Sequence, residues 1–112
     1  MRKIKIGNRF VGNGERPYFI ADIGANHDGD LERALMLIEL AKEVGADAAK
    51  FQNFKANRIV SNRGFDSLGG QVSHQANWKK SVVEVYEDAS IPYDWTEILK
   101  KKCNEVDIEY FT

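Results

Sequence analysis

Cysteine is nearly absent: Cys103 stands alone among 112 residues, so no internal disulfide can form, which fits a reducing cytoplasm. Proline occurs twice, at Pro17 and Pro92, as isolated breaks rather than as a Pro-rich tract. The two histidines, His27 and His74, lie too far apart in sequence to form a metal-ligand signature. No apolar run exceeds a few residues, which excludes a membrane span. The opening Met1-Arg2-Lys3-Ile4-Lys5-Ile6-Gly7 interleaves charge with Ile and lacks the apolar core of a signal peptide. Neither sign of charge dominates. With 16 Lys and Arg against 17 Asp and Glu, the net charge is -1, without the basic excess that marks a nucleic-acid binder. What is present, 43% hydrophobic and 29% charged residues, suits one soluble, packed, cytoplasmic domain rather than a disordered tail.

Periodicity orders the chain. Residues 3–11 read as a hairpin, with Ile4 and Ile6 alternating with Lys3 and Lys5, a turn at Gly7-Asn8, and Phe10-Val11 returning. Residues 1–17 are thus a lead-in. Tyr18 to Ile23 reads as the first core strand, bounded by Pro17 and Gly24. Asp30 is placed to cap a helix whose apolar stripe is Leu31, Ala34, Leu35, Ile38, Ala41 and Val44, and Gly45 is placed to end it. Ala46 to Gln52 reads as the second strand, which completes a βαβ unit with parallel strands. Residues 53–77 show no sustained period. A helix is expected over Ser81 to Asp88, and a second follows Asp94-Trp95-Thr96-Glu97, a capping-box pattern, with the stripe Trp95, Ile98, Leu99, Cys103 and Val106. Ile108 to Phe111 begins a third strand.

The fold class is therefore α/β. Two βα units and a third strand leave sheet edges uncovered, whereas a (β/α)₈ barrel takes about 250 residues. The expectation is that residues 18–112 are the front of such a barrel. A compact three-strand domain is the alternative.

Polar residues gather at the C-terminal strand ends, where α/β sheets and barrels bind ligands. Asp22 shares a strand face with Ile20 and Gly24, and Asn26 and His27 lie just beyond. Lys50 shares a face with Ala48 and Gln52. Asp22 and Lys50 fall at matching depths, so the two read either as a buried ion pair that fixes register or as ligand contacts. His27 reads as a structural hydrogen-bonding residue, His74 as solvent-facing, and Cys103 as core. Gly24-Ala25-Asn26-His27-Asp28-Gly29 matches neither a Walker loop nor a dinucleotide fingerprint, so nucleotide binding has no support. Asn77 is open between a cap and a ligand contact.

Tyr18-Phe19-Ile20-Ala21-Asp22-Ile23-Gly24-Ala25-Asn26-His27-Asp28-Gly29-Asp30-Leu31 resembles the opening strand and loop of the sialic acid synthase family. Gly45-Ala46-Asp47-Ala48-Ala49-Lys50-Phe51-Gln52 is similar to that family's second strand, G-A-D-x-x-K-x-Q. The resemblance implies a transferase that condenses phosphoenolpyruvate with an N-acetylated aminosugar such as N-acetylmannosamine. The product would be a nine-carbon sialic-type acid, with phosphate released. It implies a TIM barrel and a homodimer, with a manganese or magnesium ion whose ligands lie outside this chain. By position, the proton-handling carboxylate falls on Asp22, commonly Glu in the family. The phosphoenolpyruvate contact falls on Lys50, and the sugar contacts fall on Gln52 and Asn77. No membrane or nucleic-acid partner is expected, and this chain alone is expected to be inactive. The alternative is a non-catalytic sugar-binding or interaction module.

Overall fold

A computed structural model describes residues 2–61, 63, 64, 67 and 78–112. The chain opens with a hairpin of β1 (Ile4–Ile6) and β2 (Arg9–Val11), antiparallel with Ile4 opposite Val11, turning at Gly7-Asn8 as its sequence predicts. A three-stranded parallel sheet follows, ordered β3 (Ile20–Gly24), β4 (Ala48–Phe51), β5 (Glu109–Phe111). Helix α1 (Leu31–Glu43) connects β3 to β4. Between β4 and β5 lie α2 (Ala56–Ile59), α3 (Val82–Ala89) and α4 (Trp95–Glu105) among the described residues.

Helix α1 forms where its signals stand. The Asp30 side chain accepts the Arg33 N–H at 3.2 Å, and Ala34, Ile38 and Ala41 are buried. At its end Gly45 takes φ +89°, the Gly45 N–H reaches the Lys42 carbonyl and the Ala46 N–H reaches that of Ala41. This paired closure satisfies the last carbonyls, and the positive φ favours glycine. Val44, expected in the apolar stripe, is instead 80% exposed, because it is the capping residue and leaves the helix surface. Ile98 likewise faces outward at 42% exposure, while Leu99 and Cys103 carry the buried face of α4.

Those helices and the sheet enclose one core, built from Ile23, Ala49 and Phe51 below and Ile38, Leu99 and Cys103 above, with Ile91 and Ile108 at its ends. Each fully buried Ile, Leu or Phe contributes about 1.5–3 kcal/mol relative to exposure. Period-two alternation then fixes the other side: Ile20, Asp22 and Lys50 point away from this core, and Ile20 and Asp22 are exposed.

Element ends differ from their sequence reading for identifiable reasons. Strand β3 starts at Ile20 rather than Tyr18, because Phe19 is held by Asp47 instead of by a strand ladder. The Phe19 N–H donates to the Asp47 carboxylate at 2.9 Å, and its carbonyl accepts the Asp47 and Ala48 N–H groups. Strand β4 starts at Ala48 rather than Ala46, whose N–H closes α1. Asp94 does not make the expected side-chain cap. It has helical φ/ψ, and the Trp95 and Thr96 N–H groups reach the carbonyls of Pro92 and Tyr93. The capping box lies earlier, at Ser81 and Glu84, which exchange both bonds across the start of α3. The aperiodic stretch after β4 contains α2, one turn too short to show a period.

Candidate functional site

Parallel pairing places Asp22 directly opposite Lys50, at the C-terminal ends of β3 and β4. The Lys50 Nζ stands 3.9 Å from Asp22 Oδ2. Within these 112 residues its side chains are 61% (Asp22) and 43% (Lys50) exposed, since the core packs on the opposite face. Beyond Asp22 the register slips by one residue, so Gly24 rather than Ile23 aligns with Phe51. Gly24 takes φ +54°, and a Cβ there would lie 3.5 Å from Gln52 Nε2 and 3.6 Å from Asp22 Oδ1. Those distances are ordinary contacts, so it is the backbone angle that favours glycine. They also show that Asp22 and Gln52 converge above Gly24. One cation, one carboxylate and one amide thus meet at a strand end: a point charge for an anion, a proton acceptor, and paired donors with an acceptor for hydroxyls.

The adjoining loop does not join them. The Asn26 amide donates to the Ile23 carbonyl at 2.9 Å. The N–H groups of Asn26, Asp28 and Asp30 are bonded to carbonyls of the loop itself, and that of Gly29 to His27 Nδ1 at 3.0 Å. Four backbone donors in front of α1 are therefore already used. His27 is fully buried, not at the open face. Asn77 and His74 lie outside the described residues. Cys103 is buried in the core, where burial pushes its thiol up to about 11 and leaves it unreactive.

A second polar knot sits beside Gln52. The Asn53 amide donates to Thr96 Oγ1 at 2.6 Å, and its carbonyl oxygen accepts from the Tyr110 hydroxyl at 2.9 Å and the Thr112 hydroxyl at 2.8 Å. The Asn53 N–H donates to Thr112 Oγ1 at 3.1 Å. Burial raises the Tyr110 hydroxyl above its ordinary value, against these hydrogen bonds, so it stays protonated and donating. No local pattern announces this knot, because its members lie 43 to 59 residues from Asn53.

At the opposite end of β4, Asp47 gathers the lead-in. Its carboxylate meets Arg9, Arg16 at 2.8 Å, and the Phe19 N–H. Burial pushes that carboxyl up, but the Phe19, Arg9 and Arg16 hydrogen bonds outweigh it and hold it below its ordinary value.

Among the described residues no group of three or more His, Cys, Asp or Glu is placed to hold a metal ion. A hard divalent cation takes several oxygen ligands, and the described residues present no such set. No described helix is long and apolar enough to cross a membrane.

An α/β chain with a parallel sheet, whose strand ends present Asp, Lys and Gln to an open face, belongs with the enzymes and binders that use that end of the sheet. Residues 37–112 match the model of the NeuB family. The chain belongs to that family. It is 32% identical over 112 residues to the spore coat polysaccharide biosynthesis protein SpsE of Bacillus subtilis, covering 100% of this chain and 29% of that protein. Identity to the N-acetylneuraminate-9-phosphate synthase of Homo sapiens is 37% over 108 residues, covering 93% of this chain and 28% of that one. Among solved structures it superposes on the N-acetylneuraminic acid (sialic acid) synthetase of Leptospira borgpetersenii, in complex with citrate. The TM-score is 0.75 at 26% identity, covering 98% of this chain and 33% of that one. The chain thus spans under a third of the length of these relatives.

Proposed function

We propose that these 112 residues form the first two βα units and third strand of a TIM barrel. The whole enzyme condenses phosphoenolpyruvate with an N-acetylated aminosugar and releases phosphate. The observation that carries this is the placement of Asp22, Lys50 and Gln52. The three converge at the C-terminal strand ends, where α/β barrels bind ligands. Family membership and the match of SpsE over the whole chain support the same reading.

In this reading Lys50 supplies a compact positive charge to the phosphate or carboxylate of phosphoenolpyruvate. Asp22, across the strand pair, handles a proton as bonds form and break at the reacting carbons. Gln52 hydrogen-bonds sugar hydroxyls or the N-acetyl group, and Asn77 adds a second sugar contact by position in the family pattern. A divalent cation in the complete enzyme is held by residues outside this chain. The working enzyme is a cytoplasmic homodimer.

The test is phosphate release by the full-length protein, with phosphoenolpyruvate, N-acetylmannosamine and manganese supplied together and singly. Release that requires both substrates, and is absent from the 112-residue chain, is the expected result. A folded full-length protein that binds the aminosugar without consuming phosphoenolpyruvate would replace this reading with a sugar-binding module.

A further inference from the structure

The β3–α1 loop contains a titratable group that the proposed chemistry leaves unused. None of the His27 surface is exposed. Its Nδ1 accepts the Gly29 N–H at 3.0 Å, so in the neutral ring the proton sits on Nε2. That nitrogen is buried and has no hydrogen-bond partner among the described residues. The ring meets Trp95, the first residue of α4, edge to face, with centroids 5.5 Å apart and planes at 72°. Its backbone carbonyl accepts the N–H of Asp30, the cap of α1, at 3.0 Å. One residue therefore closes the loop on itself and ties it to two helices. The loop begins at Gly24, above which Asp22 and Gln52 converge.

We infer that His27 is a positioning residue: its neutral ring pins the β3–α1 loop, which begins at the Gly24 bulge just beyond the Asp22–Lys50 pair, between α1 and α4, and releases that loop on taking up a proton. The term positioning rests on the proposed role of Asp22 and Lys50; the latch does not. A second ring proton would go to Nδ1 and face the Gly29 N–H, donor against donor. It would also place a charge in a site without solvent. On the same loop Asp28 favours that charge, but it is 73% exposed and stands 3.6 Å from Arg33 of α1. Arg33 donates its Nε to the Asn26 carbonyl at 2.7 Å. From α4 the facing group is the uncharged indole. Burial outweighs Asp28 and lowers the ring's pKa below the ordinary histidine value.

In the full-length protein, the imidazole signals missing from a His27→Asn variant identify His27 for ¹⁵N spectroscopy. The expected result is an Nε2–H tautomer at pH 7 and a titration below the ordinary histidine range. At the same step the Gly24 and Gly29 amides and the Asp22 carboxyl should shift, with loss of Gly29 exchange protection. His27→Asn, which retains an acceptor for the Gly29 N–H, should keep that protection and abolish the step. His27→Phe retains the ring against Trp95 and should lose the protection. An Nδ1–H tautomer, or titration in the ordinary range, overturns the latch. A step that moves Gly29 but leaves the Asp22 carboxyl still overturns the positioning role. These readouts do not depend on turnover, so a failed substrate assignment leaves them intact.

Discussion

Asp22 of β3 and Lys50 of β4 are cross-strand partners whose charged ends lie 3.9 Å apart on the sheet face turned away from the core. Within the 112-residue chain both are substantially exposed. In that chain, Asp22→Asn or Lys50→Met should each change the unfolding free energy by less than about 1 kcal/mol in denaturant titrations. A loss of about 3–5 kcal/mol from either single change, recovered in the double, would show a buried structural pair instead.

Acid should loosen the lead-in through Asp47. Its carboxyl is held below its ordinary value, so the stability it contributes is present above the unfolded value of about 3.9 and is lost as pH falls through the lower, folded value. Asp47→Asn should remove that part of the pH dependence and cost about 2 kcal/mol, for charge-assisted bonds to Phe19, Arg9 and the more exposed Arg16. Melting curves at stepped pH for both proteins check this; equal slopes below pH ~4 would refute it.

Cys103 should be inert in the folded chain. Burial and a thiol pushed up to about 11 leave almost no thiolate at neutral pH. Iodoacetamide should label it only at the rate of unfolding, with full labelling in denaturant. Rapid labelling under native conditions would show that the core face of α4 opens. Cys103→Ser should cost about 1–3 kcal/mol by burying a hydroxyl without a partner.

Much of this architecture is legible in the sequence because its signals are local. The Asp30 cap, the Gly45 ending and the alternation around Asp22 and Lys50 each lie within a few residues, and they determine α1, the parallel pair and its register. The family pattern, read from residues 18–31 and 45–52, agrees with the NeuB match. What sequence reading misplaces depends on competition or distance. Asp94 looks like a cap, but the carbonyls of Pro92 and Tyr93 take the donors it would serve. The Asn53 knot joins residues just after β4, at the start of α4, and in β5 and beyond it, and only the fold brings them together.

The most direct measurement is steady-state phosphate release by the full-length protein and its Lys50→Met, Asp22→Asn and double variants, each with its melting temperature. Lys50→Met should weaken phosphoenolpyruvate use by ~2–5 kcal/mol, read as a raised KM, because a charge-assisted contact to an enclosed anion is lost. Asp22→Asn should lower kcat with little change in KM, as expected when a group acts mainly in the transition state. Melting temperatures should stay close to that of the parent protein. If activity in all three variants instead follows the folded fraction, Asp22 and Lys50 only hold strands together, and the account of this site is wrong.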